Sequence, residues 1–185
     1  MKVLIEAEEI REAVLGLGET LARDYSGKKL TVVGVLTGSV MLLADLVRAM
    51  NLPLRISLIR ASSYRGTATR PGELEIDEQL LDDVAGRDVV LIDDIFDSGH
   101  TLDSLLKILS DHKPASLRSA VLLWKTGRQE VELEPDYHCF RIPDVFVVGY
   151  GLDYNGEYRY LPHIAALDDS DLQQGASQGG SESRS

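Results

Sequence analysis

Asp93 and Asp94 stand side by side at the end of an apolar run, Val89–Ile92. The chain then passes through Ile95, Phe96, Asp97, Ser98, Gly99, His100 and Thr101 before a leucine-spaced segment begins. Paired carboxylates at the mouth of a buried strand suit two tasks. They can accept hydrogen bonds from sugar hydroxyls, and they can share a hydrated magnesium ion with substrate oxygens. A small-residue loop that opens into a helix suits a third task, because its N–H groups and the helix N-terminus cradle a phosphate monoester. Ser98 and Thr101 add hydroxyl donors, and Gly99 allows close backbone approach. In a plainer reading Asp97 or Ser98 caps the helix and the acid pair is a solvated turn. The combination of apolar strand, acid pair, small loop and helix favours a binding site.

Three more segments carry candidate chemistry. Thr37-Gly38-Ser39 follows the run Leu30–Leu36 and precedes a helical pattern. Gly38 permits unusual backbone angles and Ser39 suits an N-cap. Arg60 through Gly72 is long, rich in small residues and basic on an otherwise acidic chain, the profile of a lid or a plain surface loop. Lys125 ends the run Ser119–Trp124, and Phe146 and Val147 open another. By residue type alone Lys125 reads as a solvated lysine, and Phe146 and Trp124 as packing residues.

The elements that must position these residues alternate. Ile10, Val14, Leu17 and Leu21 share one helical face, with Glu6, Glu8 and Glu9 at the dipole-favoured start. Val40, Leu43, Ala44 and Val47 mark a second helix, and Leu102, Leu105, Leu106 and Leu109 a third. Between them lie Leu30–Leu36, Leu54–Ile59, Val89–Ile92, Ser119–Trp124 and Val145–Tyr150, several nearly continuous in apolar residues. Strands buried on both faces read that way, which predicts an α/β domain with a parallel sheet. Ligands then bind beyond the carboxyl ends of the strands, where the candidate loops fall.

The 185 residues suit one domain, residues 1–167, followed by an acidic Gly/Ser-rich tail, 168–185, expected to be disordered. The net charge is −11, of which the tail carries −3 and the body −8. That surface repels a phosphate backbone, so no nucleic-acid partner is expected. No apolar run approaches the ~20 residues of a membrane helix, and the acidic start is unlike a signal peptide. The single cysteine, Cys139, forms no internal disulfide and suits a reducing cytoplasm.

Residues 92–102, IDDIFDSGHTL, closely resemble the phosphoribosyl pyrophosphate (PRPP) motif of type I phosphoribosyltransferases. VVGYGLDYN at 147–155, followed by YRYLPHI at 158–164, resembles the 6-oxopurine branch, the hypoxanthine-guanine phosphoribosyltransferases. The resemblance runs from the first helix to about Leu167. It implies the type I fold, a parallel central sheet of about five strands flanked by helices with a small hood. It also implies purine salvage: transfer of phosphoribosyl from PRPP to hypoxanthine and/or guanine, with magnesium as cofactor and small molecules as partners.

Further implications of the resemblance concern individual residues. Asp93 and Asp94 engage the ribose hydroxyls directly or through magnesium. Asp97 accepts the N7 proton, and Asp97, Ser98, Gly99, His100 and Thr101 hold the 5′-phosphate. Thr37, Gly38, Ser39 and Arg159 serve pyrophosphate, while Ser63 and Tyr64 belong to a closing loop. Lys125 donates to purine O6, Phe146 stacks on the base, Val147 offers backbone groups, and Asp153 binds magnesium or the 2-position side. His100 and Thr37 stand where many relatives carry a basic residue. Relatives are dimers or tetramers, so a homodimer or homotetramer is expected. Preference for xanthine, specificity for guanine or hypoxanthine alone, a regulatory RNA-binding relative and a non-catalytic nucleotide-binding domain are the alternatives.

Overall fold

The computed structural model describes residues 1–63, 74–168 and Asp171. Tyr64, Arg65 and Arg70 of the expected lid, and all of the expected tail except Asp168 and Asp171, lie outside the described residues.

Glu6 and Glu9 form a capping box, in which each carboxylate accepts the other residue's backbone N–H, and this starts α1, Ala7–Asp24. Ile10, Val14, Leu17 and Leu21 are all buried along it. The second helix, α2, spans Val40–Met50, and the third, α3, spans His100–Asp111. Between the helices run β2 (Leu30–Leu36), β3 (Arg55–Ser63), β4 (Leu74–Asp77), β5 (Asp88–Phe96), β6 (Ser116–Lys125) and β7 (Tyr137–Ile142). They make one sheet in the order β4-β3-β2-β5-β6-β7. Five strands are parallel, and β4 adds an antiparallel edge against β3.

Both faces of the sheet are covered. Val32, Val90, Ile92 and Leu122 pack on α1 and α2, whereas their neighbours Val33, Leu91 and Val121 pack on α3. Side chains alternate across a strand, so continuous apolar runs feed two cores at once. Among the described residues no helix is long and apolar enough to cross a membrane.

The strands differ from the sequence expectation in several places, among them β3, which runs on through Arg60–Ser63, the start of the expected lid, because β4 pairs with it there. The fifth parallel strand is β7, not Val145–Tyr150. An edge strand needs only partial burial, so Tyr137 through Phe140, half-buried throughout, carry no continuous apolar signal. The run Val145–Tyr150 contributes only β8, Val147–Val148, because positive φ at Gly149, Tyr150 and Gly151 turns the chain away. With β1 (Lys2–Ile5) and β9 (Ile164–Ala166), β8 forms a separate antiparallel sheet in the order β1-β9-β8. The segment after β8 brings Gly151 against the Gly38 carbonyl at the end of β2. This small sheet is the expected hood.

Candidate active site

A cavity of about 310 Å³ opens at the carboxyl ends of β2 and β5. Thr37 and Gly38 line one wall, Asp93, Asp94, Asp97, Ser98, Gly99 and Thr101 another, and Asp153 and Arg159 of the hood a third. Three segments distant in sequence therefore meet where a parallel sheet binds its ligands.

The acid pair lies inside β5 rather than beyond it: Asp93 still pairs with Val121 of β6 and Ile95 with Leu123. Asp93 is 7% exposed, and its Oδ1 accepts the Asp94 N–H at 2.9 Å. Burial, and then the charge of Asp94, push Asp93 well above the ordinary carboxylate range. Burial also raises Asp94, opposed by hydrogen bonding with Asp93 and the Ile95 backbone and by the positive charge of Arg159. A carboxylate raised in the folded state binds more protons there than in the unfolded chain. Its contribution is destabilising, and grows as pH rises from the ordinary carboxylate range to the raised value. Asp93→Asn is therefore expected to raise the Tm of the free protein at neutral pH by about 2–6 °C, since ~1 kcal/mol moves Tm by about 2–4 °C at this size. Thermal unfolding without ligand checks this, and a lowered Tm would contradict it.

Gly38 is needed for close approach rather than for its backbone angle, which is not left-handed. A Cβ there would lie 1.6 Å from Asp94 Oδ2. The Leu36–Thr37 peptide is cis. Ser39 departs from the expectation, because its hydroxyl and its N–H both donate to the Val35 carbonyl, at 2.6 and 3.3 Å. It is fully buried, caps no helix N–H and offers no donor to the cavity.

In the loop after β5, Gly99 is the N-cap of α3 in the left-handed region, φ 92°. A Cβ there would meet Val131 Cγ2 at 2.3 Å, so no other residue fits. Ser98 and Thr101 face the cavity, but the His100 imidazole does not. It lies outside, 2.8 Å from Glu130 Oε2, because that carboxylate is the partner the fold provides. Any contribution of His100 to anion binding falls to its backbone.

Lys125, at the end of β6, is buried and donates to Asp97 Oδ2 at 3.2 Å. Asp144 lies 3.7 Å away. Register brings Lys125 and Asp97 together, since their predecessors Trp124 and Phe96 are directly paired. Those two rings also contact edge-to-face at 5.9 Å. Arg128, which the sequence does not single out, reaches Asp97 Oδ1 at 3.1 Å. Phe146 is 41% exposed, edge-on to Tyr154 at 5.4 Å, and Val147 pairs with Ala166 in the hood. Asp153 accepts from the Gly156 N–H at 2.8 Å and pairs with Arg159 at 2.8 Å. Ser63 ends β3, and Tyr64 lies outside the described residues.

The sequence profile of the phosphoribosyl transferase domain matches residues 5–155. The hypoxanthine-guanine phosphoribosyltransferase of Streptococcus pneumoniae strain R6 is 42% identical over 166 residues, 90% of this chain and 92% of that protein. A crystal structure of a hypoxanthine phosphoribosyltransferase from Staphylococcus aureus superposes with a TM-score of 0.85 at 40% identity, covering 91% of this chain and 92% of that one. A point mutant of the Trypanosoma cruzi hypoxanthine phosphoribosyltransferase, in a ternary substrates complex, gives a TM-score of 0.85 at 35% identity, over 92% and 97%.

Proposed function

The chain belongs to the phosphoribosyl transferase family, and from that premise we infer that it is a purine-salvage enzyme. It transfers the phosphoribosyl group of PRPP to hypoxanthine and/or guanine, giving IMP or GMP and pyrophosphate. The observation that carries the site assignment is convergence. An acid pair, an anion-binding loop and Asp97 meet at one cavity, and Lys125 reaches that Asp97 from beside it at 3.2 Å.

The residue roles follow from what each group can donate or accept. Backbone N–H groups at Ser98–Thr101, with the two hydroxyls, receive the 5′-phosphate. Asp93 and Asp94 accept the ribose hydroxyls. The backbone at Thr37 and Gly38 and the Arg159 guanidinium face the pyrophosphate. Lys125 offers only donors, so it selects a 6-oxo group over a 6-amino group. Phe146 stacks on the base and Val147 lies at its edge. As the bond from C1′ to pyrophosphate breaks and the N9–C1′ bond forms, the N7 proton passes to Asp97. The anionic carboxylates stabilise cationic character developing at C1′.

The donor set fits magnesium. Among the described residues four carboxylates, Asp93, Asp94, Asp97 and Asp153, line the cavity with a single guanidinium, and Asp93 and Asp94 are raised by burial. Among the described residues no three such ligands converge to cage an ion alone. Magnesium usually takes one or two carboxylates plus substrate phosphates, which accords with an ion arriving with PRPP. When bound it neutralises charge on the pyrophosphate leaving group. A dimer or tetramer in the cytoplasm completes the reading. The cytoplasmic setting accords with Cys139, a free thiol that burial pushes up to about 12.

The test is turnover of hypoxanthine, guanine, xanthine and adenine with PRPP and magnesium. Conversion of none of them would overturn the reading. Lys125→Gln is expected to lower kcat/KM for hypoxanthine about ten- to hundred-fold, as loss of a charged hydrogen bond does. It also narrows discrimination against adenine, because Gln can accept as well as donate.

A further inference from the structure

Four side chains beside the cavity close a ring of alternating charge. Lys125 Nζ lies 3.2 Å from Asp97 Oδ2 and 3.7 Å from Asp144 Oδ1. Arg128 Nη1 lies 3.4 Å from that same Asp144 oxygen, and Arg128 Nε lies 3.1 Å from Asp97 Oδ1. The two oxygens of Asp97 are not equivalent. Oδ2 accepts a hydrogen bond from Lys125. Oδ1 is shut off from solvent and accepts none, because the nearby Arg128 N–H is out of line for one. The charge of Arg128 is therefore the nearest compensation for Oδ1.

The loop that carries Arg128 is itself fastened to the anion-binding loop. The Glu130 N–H donates to the Ser98 carbonyl at 2.9 Å, and the Glu130 carboxylate pairs with His100 at 2.8 Å. Val131 fills the space beside Gly99. Arg128 thus approaches Asp97 from a segment held at two further points, although its own side chain is half-exposed.

We propose that Arg128 and Asp144 are positioning residues for purine recognition, a bracket that holds Asp97 and Lys125 in place while these two exchange partners. This deepens the transferase reading and rests on it. A 6-oxopurine draws Lys125 from Asp97 to O6, which frees Oδ2 for the N7 proton. Arg128 keeps Oδ1 anchored, and Asp144 keeps a counter-charge beside the ammonium. Without Arg128 a solvent-excluded carboxylate oxygen is left uncompensated, a costly arrangement that Asp97 relieves by turning away.

Steady-state kinetics with both substrates varied test the bracket in wild type, Arg128→Gln, Arg128→Lys and Asp144→Asn. Arg128→Gln is expected to raise KM for hypoxanthine about ten-fold and lower kcat, with KM for PRPP within about two-fold of wild type. Arg128→Lys restores most of the loss by returning the charge. Asp144→Asn raises KM for the base alone, by about three- to ten-fold. An active wild type with unchanged base KM in Arg128→Gln overturns the bracket. So do equal losses for both substrates that Lys does not restore, which would leave Arg128 a plain structural tie. If Arg128→Gln does not fold, an unchanged base KM in Asp144→Asn overturns it. A wild type without turnover overturns the transferase reading itself.

Discussion

Asp97→Asn is expected to lower kcat by about two to four orders of magnitude, the range over which a positioned general base acts, with KM for PRPP within about two-fold of wild type. The substitution keeps shape and removes only charge and basicity. An amide cannot take the N7 proton, so the base must attack with that proton still in place or lose it to water. The groups proposed to bind PRPP stay where they are: Asp93 and Asp94 lie inside β5, and the loop proposed to hold the phosphate is fixed by Gly99 and the start of α3. The change also releases Lys125 from its 3.2 Å pairing. Binding of the base through O6 is then no weaker, and the loss falls on kcat rather than on KM. Thermal unfolding of the variant separates this from misfolding, since Asp97 is 36% exposed and its core neighbours Phe96 and Trp124 are unchanged. A variant with wild-type kcat would remove Asp97 from the role of base.

Elements buried by a regular pattern are legible in the residues themselves. Ile10, Val14, Leu17 and Leu21 mark α1 because a helix repeats every 3.6 residues, and all four are buried. The bounds Leu30–Leu36 are those of β2, a central strand apolar on both faces. Elements set by tertiary pairing are not legible in this way. β5 continues through Asp93 to Phe96 because β6 supplies partners as far as Trp124, and nothing local announces that. β7 is an edge strand whose half-exposed residues need not be apolar.

The site divides in the same way. Asp93, Asp94, Asp97, Ser98, Gly99 and Thr101 lie in one contiguous stretch of chain, from the end of β5 to the start of α3, so their convergence follows from chain connectivity. Lys125 meets Asp97 across 28 residues, and strand adjacency alone makes that pair. Ser39 and His100 have the right type and position, yet the first turns back to Val35 and the second out to Glu130. Arg128 sits in a loop with no recognisable spacing, and only the folded geometry brings it to Asp97.

Gly38→Ala is expected to lower kcat/KM for PRPP about hundred-fold, because a displacement of about 1 Å at a reacting site can cost that much. Gly38 is confined on two sides. Its carbonyl lies 2.1 Å from where a Cβ on Gly151 would be, and its own Cβ would lie 1.6 Å from Asp94 Oδ2 and 2.5 Å from Cγ. The methyl group cannot swing away from backbone on one side, so the carboxylate on the other must yield. Asp94 then loses its place near Arg159, whose positive charge favours its ionised form. Both consequences fall on the PRPP end of the cavity. KM for hypoxanthine, whose proposed contacts are Lys125 and Phe146, is expected to stay within about two-fold of wild type. Combining Gly38→Ala with Asp94→Ala tests the route. If the methyl group acts by displacing that carboxylate, the double variant is no worse than Asp94→Ala alone, because residues in contact are non-additive. Additive losses, or a Gly38→Ala enzyme with wild-type affinity for PRPP, would show that the approach of Gly38 to Asp94 has no part in holding the donor substrate.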